Sequence, residues 1–204
     1  MTIDDIMRRA PVIPVLVLDG SLDPAELAET LVDAGLPVIE VTLRTPQAID
    51  AIRAMAKVPG AIVGAGTVLN AGQLEAAAAA GAGFIVSPGL TEPLAAEAAS
   101  TGVPFLPGVA TAGDIMRGLD LGFDRFKFFP AVSSGGIPAV KALAGPFGNV
   151  RFCPTGGITR ESAPDWLALG AVLCVGGTWF VRPGEMDLSA VGERARDAAA
   201  LSAQ

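Results

Sequence analysis

The feature that most constrains the fold is a short apolar segment that recurs roughly every 20–25 residues and alternates with Ala-rich helical segments. Such spacing is typical of βα units, in which each strand is followed by a helix that covers it. Eight segments fit a strand: Val12–Leu18, Pro37–Leu43, Ala61–Gly64, Gly83–Ser87, Val103–Leu106, Arg125–Phe128, Val150–Cys153 and Ala171–Val175. Eight βα units predict an α/β fold, a (β/α)8 TIM barrel, formed by one domain over residues 1–204.

An open, doubly wound sheet is the main alternative for alternating strands and helices. Its dinucleotide-binding version has a G-x-G-x-x-G motif after the first strand, and this chain has none there. Gly64-Ala65-Gly66-Thr67 follows the third strand but lacks the third glycine. The sequence therefore favours the barrel.

Residues that favour helix N-termini follow many of the predicted strands. We expect helices to begin near these positions: Asp23-Pro24, Thr45-Pro46, Asn70, Thr91, Thr111 and Thr159. The C-terminal stretch Glu193–Gln204 is predicted to be a final helix. No linker or break in composition divides the chain, in agreement with one domain.

Charge and hydropathy exclude several kinds of partner. The net charge is −7 and no basic stripe occurs, so nucleic acid is not an expected partner. No run is apolar and long enough for a membrane span, and the amphipathic start Met1–Arg9 does not resemble a signal peptide. A cytoplasmic location is therefore expected. Cys153 and Cys174 lie in apolar, strand-like runs and are interpreted as buried free thiols rather than a disulfide.

The absence of histidine restricts the chemistry further. It excludes Ser-His-Asp and Cys-His mechanisms, and it argues against a catalytic zinc site or a two-His iron site. We expect neither a metal nor a cofactor. Tyrosine is also absent, so acid–base chemistry falls to carboxylates, lysine, thiols or water.

Lys127 lies within Arg125–Pro130, a segment that otherwise has the pattern of a buried strand. Because strand faces alternate, Phe126 and Phe128 share one face, and Lys127 and Phe129 share the other. Burial disfavours the charged form of an amine, and a neutral amine is a nucleophile that forms a Schiff base with a carbonyl. The alternative is a buried stem whose ammonium group extends to water.

The second predicted strand carries charge on one face. Glu40, Thr42 and Arg44 share that face, and the apolar residues between them should pack on helices, so we expect the charged face inside the barrel. A buried carboxylate needs a partner. An ion pair of Glu40 with Arg44 or Lys127, without chemistry, is one interpretation. The other assigns proton transfer to Glu40, and to Arg44 a bidentate grip on a substrate carboxylate.

Turn-forming residues follow the predicted strands on the side where barrel active sites form. Thr67 and Pro88 follow the third and fourth strands, and paired glycines follow the seventh and eighth: Gly156, Gly157, Gly176 and Gly177. Barrels commonly bind phosphate after these last two strands. Because glycine lacks a Cβ atom, backbone N–H groups approach phosphate oxygens closely. A phosphorylated ligand is therefore predicted.

Six segments together resemble the family of 2-keto-3-deoxy-6-phosphogluconate (KDPG) aldolase, which is also known for 4-hydroxy-2-oxoglutarate (KHG) aldolase activity. They are Ile39–Thr45, Gly64–Leu69, Ser87–Gly89, Phe126–Pro130, Cys153–Ile158 and Gly176-Gly177. The resemblance covers nearly the whole chain in order, and Phe-Lys-Phe-Phe-Pro and Pro-Thr-Gly-Gly-Ile are quite specific. It implies a class I aldolase on a (β/α)8 barrel, part of the Entner-Doudoroff pathway, that needs no metal and assembles as a homotrimer.

The resemblance also implies a reaction and a role for each site residue. The enzyme would cleave KDPG, a phosphorylated keto acid, reversibly to pyruvate and glyceraldehyde 3-phosphate, and also KHG to pyruvate and glyoxylate. Lys127 would form the Schiff base, and Glu40 would shuttle protons. The other residues would contact substrate: Arg44 and Thr67 at the carboxylate, Pro88 and Phe129 at the pocket wall, Thr155 beside the substrate, and Gly156, Gly157, Gly176, Gly177 and Thr178 around the phosphate.

Two positions depart from the family pattern. Thr178 stands where close relatives often have serine, and the first strand ends in Val17-Leu18-Asp19, where some relatives carry arginine. Three other hypotheses stay open: the aldolase for the galactonate epimer, a phosphosugar isomerase or epimerase with Glu40 as its base, and a non-catalytic barrel that binds a phosphorylated metabolite.

Overall fold

The computed structural model describes residues 1–201, so the end of the predicted C-terminal helix, residues 202–204, lies outside the described part. The strands are β1 Val12–Leu16, β2 Val38–Thr42, β3 Ile62–Gly66, β4 Phe84–Val86, β5 Phe105–Leu106, β6 Gly108–Val109, β7 Arg125–Phe128, β8 Arg151–Pro154 and β9 Val175–Gly177. The helices are α1 Ile3–Met7, α2 Pro24–Asp33, α3 Ala48–Met55, α4 Ala71–Ala79, α5 Glu92–Thr101, α6 Ala112–Asp120, α7 Gly136–Ala144, α8 Ala163–Leu167 and α9 Leu188–Ala199.

The strands form parallel sheets. Six strands pair in the order β5-β4-β3-β2-β1-β9, and three more pair in the order β6-β7-β8. Pro107 alone separates β5 from β6, and a proline has no N–H with which to continue a ladder. The predicted α/β class is thus confirmed, with a curled parallel sheet as the scaffold for the site.

Both faces of the sheet are buried, as expected for parallel strands. Along β4, Ile85 belongs to the large cluster between sheet and helices, whereas Phe84 and Val86 belong to a second cluster on the inner face. The short helix α1 adds Ile6 and Met7, both fully buried, to the inner cluster. This contribution of the N-terminal segment is absent from the sequence prediction.

Seven of the eight predicted strands have bounds within two residues of an observed strand. The fifth, predicted to end at Leu106, is followed after Pro107 by the further strand β6. The eighth prediction, Ala171–Val175, is displaced from the observed Val175–Gly177. Val172 pairs with Phe152 only as an isolated bridge, so no ladder forms in the earlier part of that apolar run.

The predicted helix starts have mixed outcomes. Asp23, Asn70 and Thr111 accept the backbone hydrogen bonds of their helices and are confirmed as N-caps. Thr45 is not a cap, because α3 begins later, with Gln47 in that position. The final helix α9 begins five residues before the predicted Glu193, with Asp187 as its cap. Across residues 1–201, no helix has both the length and the apolar character that a membrane span requires.

Candidate active site

The residues singled out in the sequence lie at the carboxyl ends of the strands. Parallel strands present these ends at one edge of a sheet, where ligand sites of α/β proteins form. Six strands end within two residues of a candidate residue: β2 at Thr42, β3 at Gly66, β4 at Val86, β7 at Phe128, β8 at Pro154 and β9 at Gly177. The topology therefore gathers side chains that are far apart in the sequence.

Lys127 and Glu40 form the centre of this edge. Phe126 and Phe128 are fully buried on the helix-facing side of β7, which directs Lys127 to the inner face. The Lys127 Nζ donates hydrogen bonds to Oε1 of Glu40 at 2.9 Å and to Oε2 at 3.2 Å. The two residues are only 6% and 3% exposed, so the amine does not extend to solvent. Of the two partners considered for Glu40, the structure pairs it with Lys127.

The Glu40 carboxylate has room because the residue of β3 that faces it, Gly66, has no side chain. A Cβ atom at Gly66 would lie 2.2 Å from Glu40 Oε1. Sequence reasoning did not assign a role to Gly66, although a glycine inside a strand marks a place where another group approaches the backbone closely. Thr42, on the same face as Glu40, donates its hydroxyl to the carbonyl oxygen of Leu16 at 2.8 Å and is fully buried.

Two thiols lie beside the lysine on the inner face. Cys153 is the register partner of Lys127 on β8, and both cysteines are buried and free, as predicted. The hydrogen bond with Cys153 and then burial raise the pKa of the Cys174 thiol well above its ordinary value. Because a protonated thiol is a poor nucleophile, Cys174 does not compete with Lys127 for a carbonyl.

Three further candidates follow the carboxyl ends of β7, β3 and β2. The ring centroid of Phe129 is 5.6 Å from Lys127 Nζ, within cation–π range. Thr67 directly follows β3 with φ +58°, a backbone conformation that β-branched residues rarely adopt and that occurs at ligand sites. Arg44 lies two residues beyond β2 and is exposed. Its guanidinium has no hydrogen bond or ion pair with any residue from 1 to 201, so it is free to bind an anion.

The glycine turns after β8 and β9 come together through Thr155. Thr155 is buried and forms a bridge with Gly176, where a Cβ atom would lie 2.3 Å from the Thr155 hydroxyl oxygen. Gly156 and Gly157 have φ +107° and +78°, which glycine adopts without strain. Thr178 follows β9 and is exposed. The two turns therefore lie side by side, with a hydroxyl at their edge.

Pro88 occupies the wall between the fourth and fifth strands. A Cβ atom at Gly108 would lie 2.2 Å from the carbonyl oxygen of Pro88, so the two backbones touch. Gly108 is also the register partner of Lys127, which places Pro88 one strand away from the lysine. Within residues 1–201, no three His, Cys, Asp or Glu side chains come together as a metal-binding group.

Comparisons with known proteins identify the family of this chain. The chain matches the family described as "Aldolase: KDPG and KHG aldolase" over residues 3–193. It is 56% identical over 199 residues to the 2-dehydro-3-deoxy-phosphogluconate aldolase of Zymomonas mobilis, covering 98% of this chain and 96% of that protein.

Two solved structures are similar in both sequence and fold. The KDPG aldolase of Zymomonas mobilis ZM4 with 3-phosphoglycerate has a TM-score of 0.95 and 55% identity, covering 98% of this chain and 96% of that chain. The Legionella pneumophila KDPG aldolase, with pyruvate captured as a covalent carbinolamine intermediate, has a TM-score of 0.94 and 41% identity, covering 98% and 99% of the two chains. The predicted family is confirmed, and the chain belongs to the KDPG and KHG aldolases.

Proposed function

We propose that this protein is a class I aldolase that cleaves KDPG reversibly to pyruvate and glyceraldehyde 3-phosphate. The observation that carries the proposal is the buried Lys127–Glu40 pair, with Nζ 2.9 Å from a carboxylate oxygen, at the carboxyl edge of the sheet. A lysine nucleophile with a carboxylate in direct contact is what imine chemistry requires. The family name also supports KHG, cleaved to pyruvate and glyoxylate, as a second substrate.

The first half of the reaction joins the lysine to the substrate. Glu40 accepts a proton from the Lys127 ammonium, and the freed Nζ adds to the C2 keto carbon to form a carbinolamine. Glu40 then returns a proton to the C2 hydroxyl, which leaves as water, and a protonated imine remains. Lys127 Nζ lies within hydrogen-bond distance of both Glu40 oxygens, so this one carboxylate can carry out the successive proton transfers.

The second half breaks the C3–C4 bond. Glu40 removes the proton from the C4 hydroxyl, the C4 aldehyde forms, and the bonding electrons move to the imine nitrogen to give an enamine. Protonation at C3 and hydrolysis then release pyruvate and the free lysine. The cationic imine accepts the negative charge that develops at C3, so the lysine itself supplies the electron sink.

The remaining residues orient the substrate. The free Arg44 guanidinium and Thr67 would hold the carboxylate, with Phe129 and Pro88 as walls and Thr155 beside the chain. The phosphate would lie at Gly156, Gly157, Gly176, Gly177 and Thr178, because these turns present backbone N–H groups without side chains. The chain is acidic, with a net charge of −7, so such local contacts must provide the attraction for an anion.

We also propose that the two sheets close into one eight-stranded barrel in a single domain, with β5 and β6 counted as one strand. Three contacts support closure. Lys127 N–H donates to the Pro107 carbonyl oxygen at 2.9 Å. Isolated bridges join Phe152 of β8 to Val172, three residues before β9, and Thr155, directly after β8, to Gly176 of β9. A closed barrel surrounds the Lys127–Glu40 pair with strands and removes the sheet edges.

The homotrimer implied by the family resemblance remains part of the proposal. Light scattering should then give a mass about three times the 20.6 kDa of one chain. A mass of 20.6 kDa at working concentration would contradict it. The cytoplasmic location stays a prediction.

Borohydride trapping with pyruvate tests the proposal directly. The reductant should fix a pyruvyl adduct on Lys127, identified by peptide mass analysis. Lys57 and Lys141 are both exposed and serve as internal controls for non-specific modification. An adduct confined to Lys127 supports the aldolase, whereas folded protein without an adduct favours an isomerase or a binding protein.

A further inference from the structure

The segment between β9 and α9, residues 178–187, crosses the sheet edge beside the proposed phosphate site. It begins with Thr178, directly after the glycine turn. Its next residue, Trp179, packs its ring on Gly177, where a Cβ atom would lie 2.3 Å from the ring. The position of this segment therefore decides where the Thr178 hydroxyl lies and how closely Gly177 is covered.

Asp19 hydrogen-bonds the segment to the chain that follows the neighbouring strand β1. Its Oδ2 accepts a hydrogen bond from the Gly184 backbone N–H at 2.9 Å, although 165 residues separate the two. Its Oδ1 accepts from the Ser21 N–H at 3.0 Å and from the Ser21 hydroxyl. Asp19 lies three residues beyond β1, which pairs directly with β9, so the contact joins the ends of neighbouring strands.

The Asp19 carboxylate is held in place as a hydrogen-bond acceptor. Hydrogen bonds from the Ser21 side chain and then from Gly184 lower the pKa of Asp19 to about 2, so the carboxylate stays ionised at neutral pH. Gly184 has φ +71°, and a hydrogen bond of 2.9 Å from Glu185 N–H to the Arg182 carbonyl closes its turn. No cation within residues 1–201 pairs with Asp19, so its interactions are the hydrogen bonds from Ser21 and from Gly184.

Helix α9 also holds the 178–187 segment by side-chain contacts. Arg194 donates to the Phe180 carbonyl oxygen at 2.8 Å and pairs with Glu185. The segment is thus held by α9 from one side and by Asp19 from the other. Removing Asp19 frees the β1 side alone, which leaves the helix contact intact.

We propose that Asp19 is a positioning residue for the phosphate half of the substrate. By holding Gly184 against the end of β1, it fixes Thr178 and Trp179 at the phosphate-binding turn. The inference rests on the proposed function and adds a residue that touches neither the substrate nor the reacting atoms.

The test compares two aldehydes that differ only in the phosphate group. Condensation of pyruvate with glyceraldehyde 3-phosphate is measured beside condensation with D-glyceraldehyde, in wild type and Asp19→Ala. We expect a rise of about five- to tenfold in KM for the phosphorylated aldehyde, as the loss of one charged hydrogen bond allows, with little change for glyceraldehyde. Asp19→Asn keeps one acceptor oxygen, which can take the Gly184 N–H but not the Ser21 N–H at the same time, and should restore part of the affinity.

Asp19→Glu and Asp50→Asn complete the design. The glutamate keeps the charge but moves the carboxylate by one methylene. It should therefore raise the KM for the phosphorylated aldehyde as alanine does. Asp50 is an exposed aspartate whose partner is Arg53 on its own helix α3, and it is not hydrogen-bonded to Asp19 or to the segment, so its variant should behave as wild type.

Equal effects of Asp19→Ala on both aldehydes, or no effect on either, would overturn the inference. The same holds if Asp19→Glu binds the phosphorylated aldehyde as well as wild type does. Wild-type protein that condenses pyruvate with neither aldehyde would instead contradict the proposed aldolase function, so the two failures are distinguishable.

Discussion

Lys127 Nζ lies 2.9 Å from Oε1 and 3.2 Å from Oε2 of Glu40, although 87 residues separate the two in the chain. Both side chains are buried, so each charge depends on the other for its stability. The same contact that compensates the burial of the charges gives the lysine a proton acceptor. Stability and chemistry are therefore coupled in this pair.

Lys127→Met should abolish cleavage, because no other group in the site forms an imine. It also leaves the Glu40 carboxylate buried without its partner, which is expected to lower the free energy of unfolding by about 3–5 kcal/mol. Urea denaturation measures this loss, and circular dichroism checks that the fold persists. The double variant Lys127→Met with Glu40→Gln should recover part of the stability but no activity. Retained turnover in Lys127→Met would rule out the Schiff-base assignment.

Glu40→Gln should lower kcat by about 10²- to 10⁴-fold, the usual contribution of a positioned acid–base group. The amide keeps a hydrogen-bond acceptor for Lys127, so imine formation should be slowed but still detectable by borohydride trapping. Measuring turnover and trapping on the same preparation separates proton transfer from nucleophilic attack. A near-wild-type rate would remove the acid–base role of Glu40.

Gly66→Ala should disturb the geometry of the site although no charged residue is replaced. The new Cβ atom would lie 2.2 Å from Glu40 Oε1, so the carboxylate must move away from Lys127. We expect turnover to fall at least about tenfold, since sub-ångström placement governs proton transfer. Gly72→Ala in α4 is the matched control, because its Cβ atom would lie at an ordinary 3.6 Å from Asn70. Equal activity of the two variants would contradict the proposed packing constraint.

Thr178→Ala should weaken the binding of phosphorylated substrates more than the binding of pyruvate, because it removes the hydroxyl at the glycine turn. The loss of a neutral hydrogen bond corresponds to about 0.5–1.5 kcal/mol, or up to about tenfold in KM for KDPG. Thr178→Ser keeps the hydroxyl and should retain wild-type affinity. Equal losses for KDPG and pyruvate in steady-state kinetics would argue against a phosphate contact.

Acid should remove the stabilising contribution of Asp19. Its pKa is about 2 in the folded protein against 3.8 in the reference state, lowered by hydrogen bonds from Ser21 and Gly184. A carboxyl whose pKa is lower in the folded than in the unfolded protein stabilises the folded state at pH values above 3.8. That contribution disappears as the pH falls from 3.8 towards 2. Wild type should therefore exceed Asp19→Asn in urea midpoint at pH 6, and the difference should shrink at pH 3. A difference that grows on acidification would contradict the sign of this linkage.

Several parts of the fold were predictable because they depend on local pattern. Strand β7 matches its predicted bounds, since alternating apolar residues and a following proline mark it clearly. The cap at Asn70 is equally local, as its side chain bonds the amide three residues later. The cap predicted at Thr45 failed because its hydroxyl has no partner among residues 1–201, and α3 starts from Gln47 instead.

The faces that Lys127 and Glu40 occupy could be predicted from the sequence, because strand alternation is a property of the backbone. The sequence also placed the glycine turns after the last two strands. Three contacts became visible in the folded chain alone: the pairing of Glu40 with Lys127 rather than Arg44, the space that Gly66 leaves for the carboxylate, and the hydrogen bond from Gly184 to Asp19. These contacts depend on register and curvature between distant segments, which no local pattern encodes.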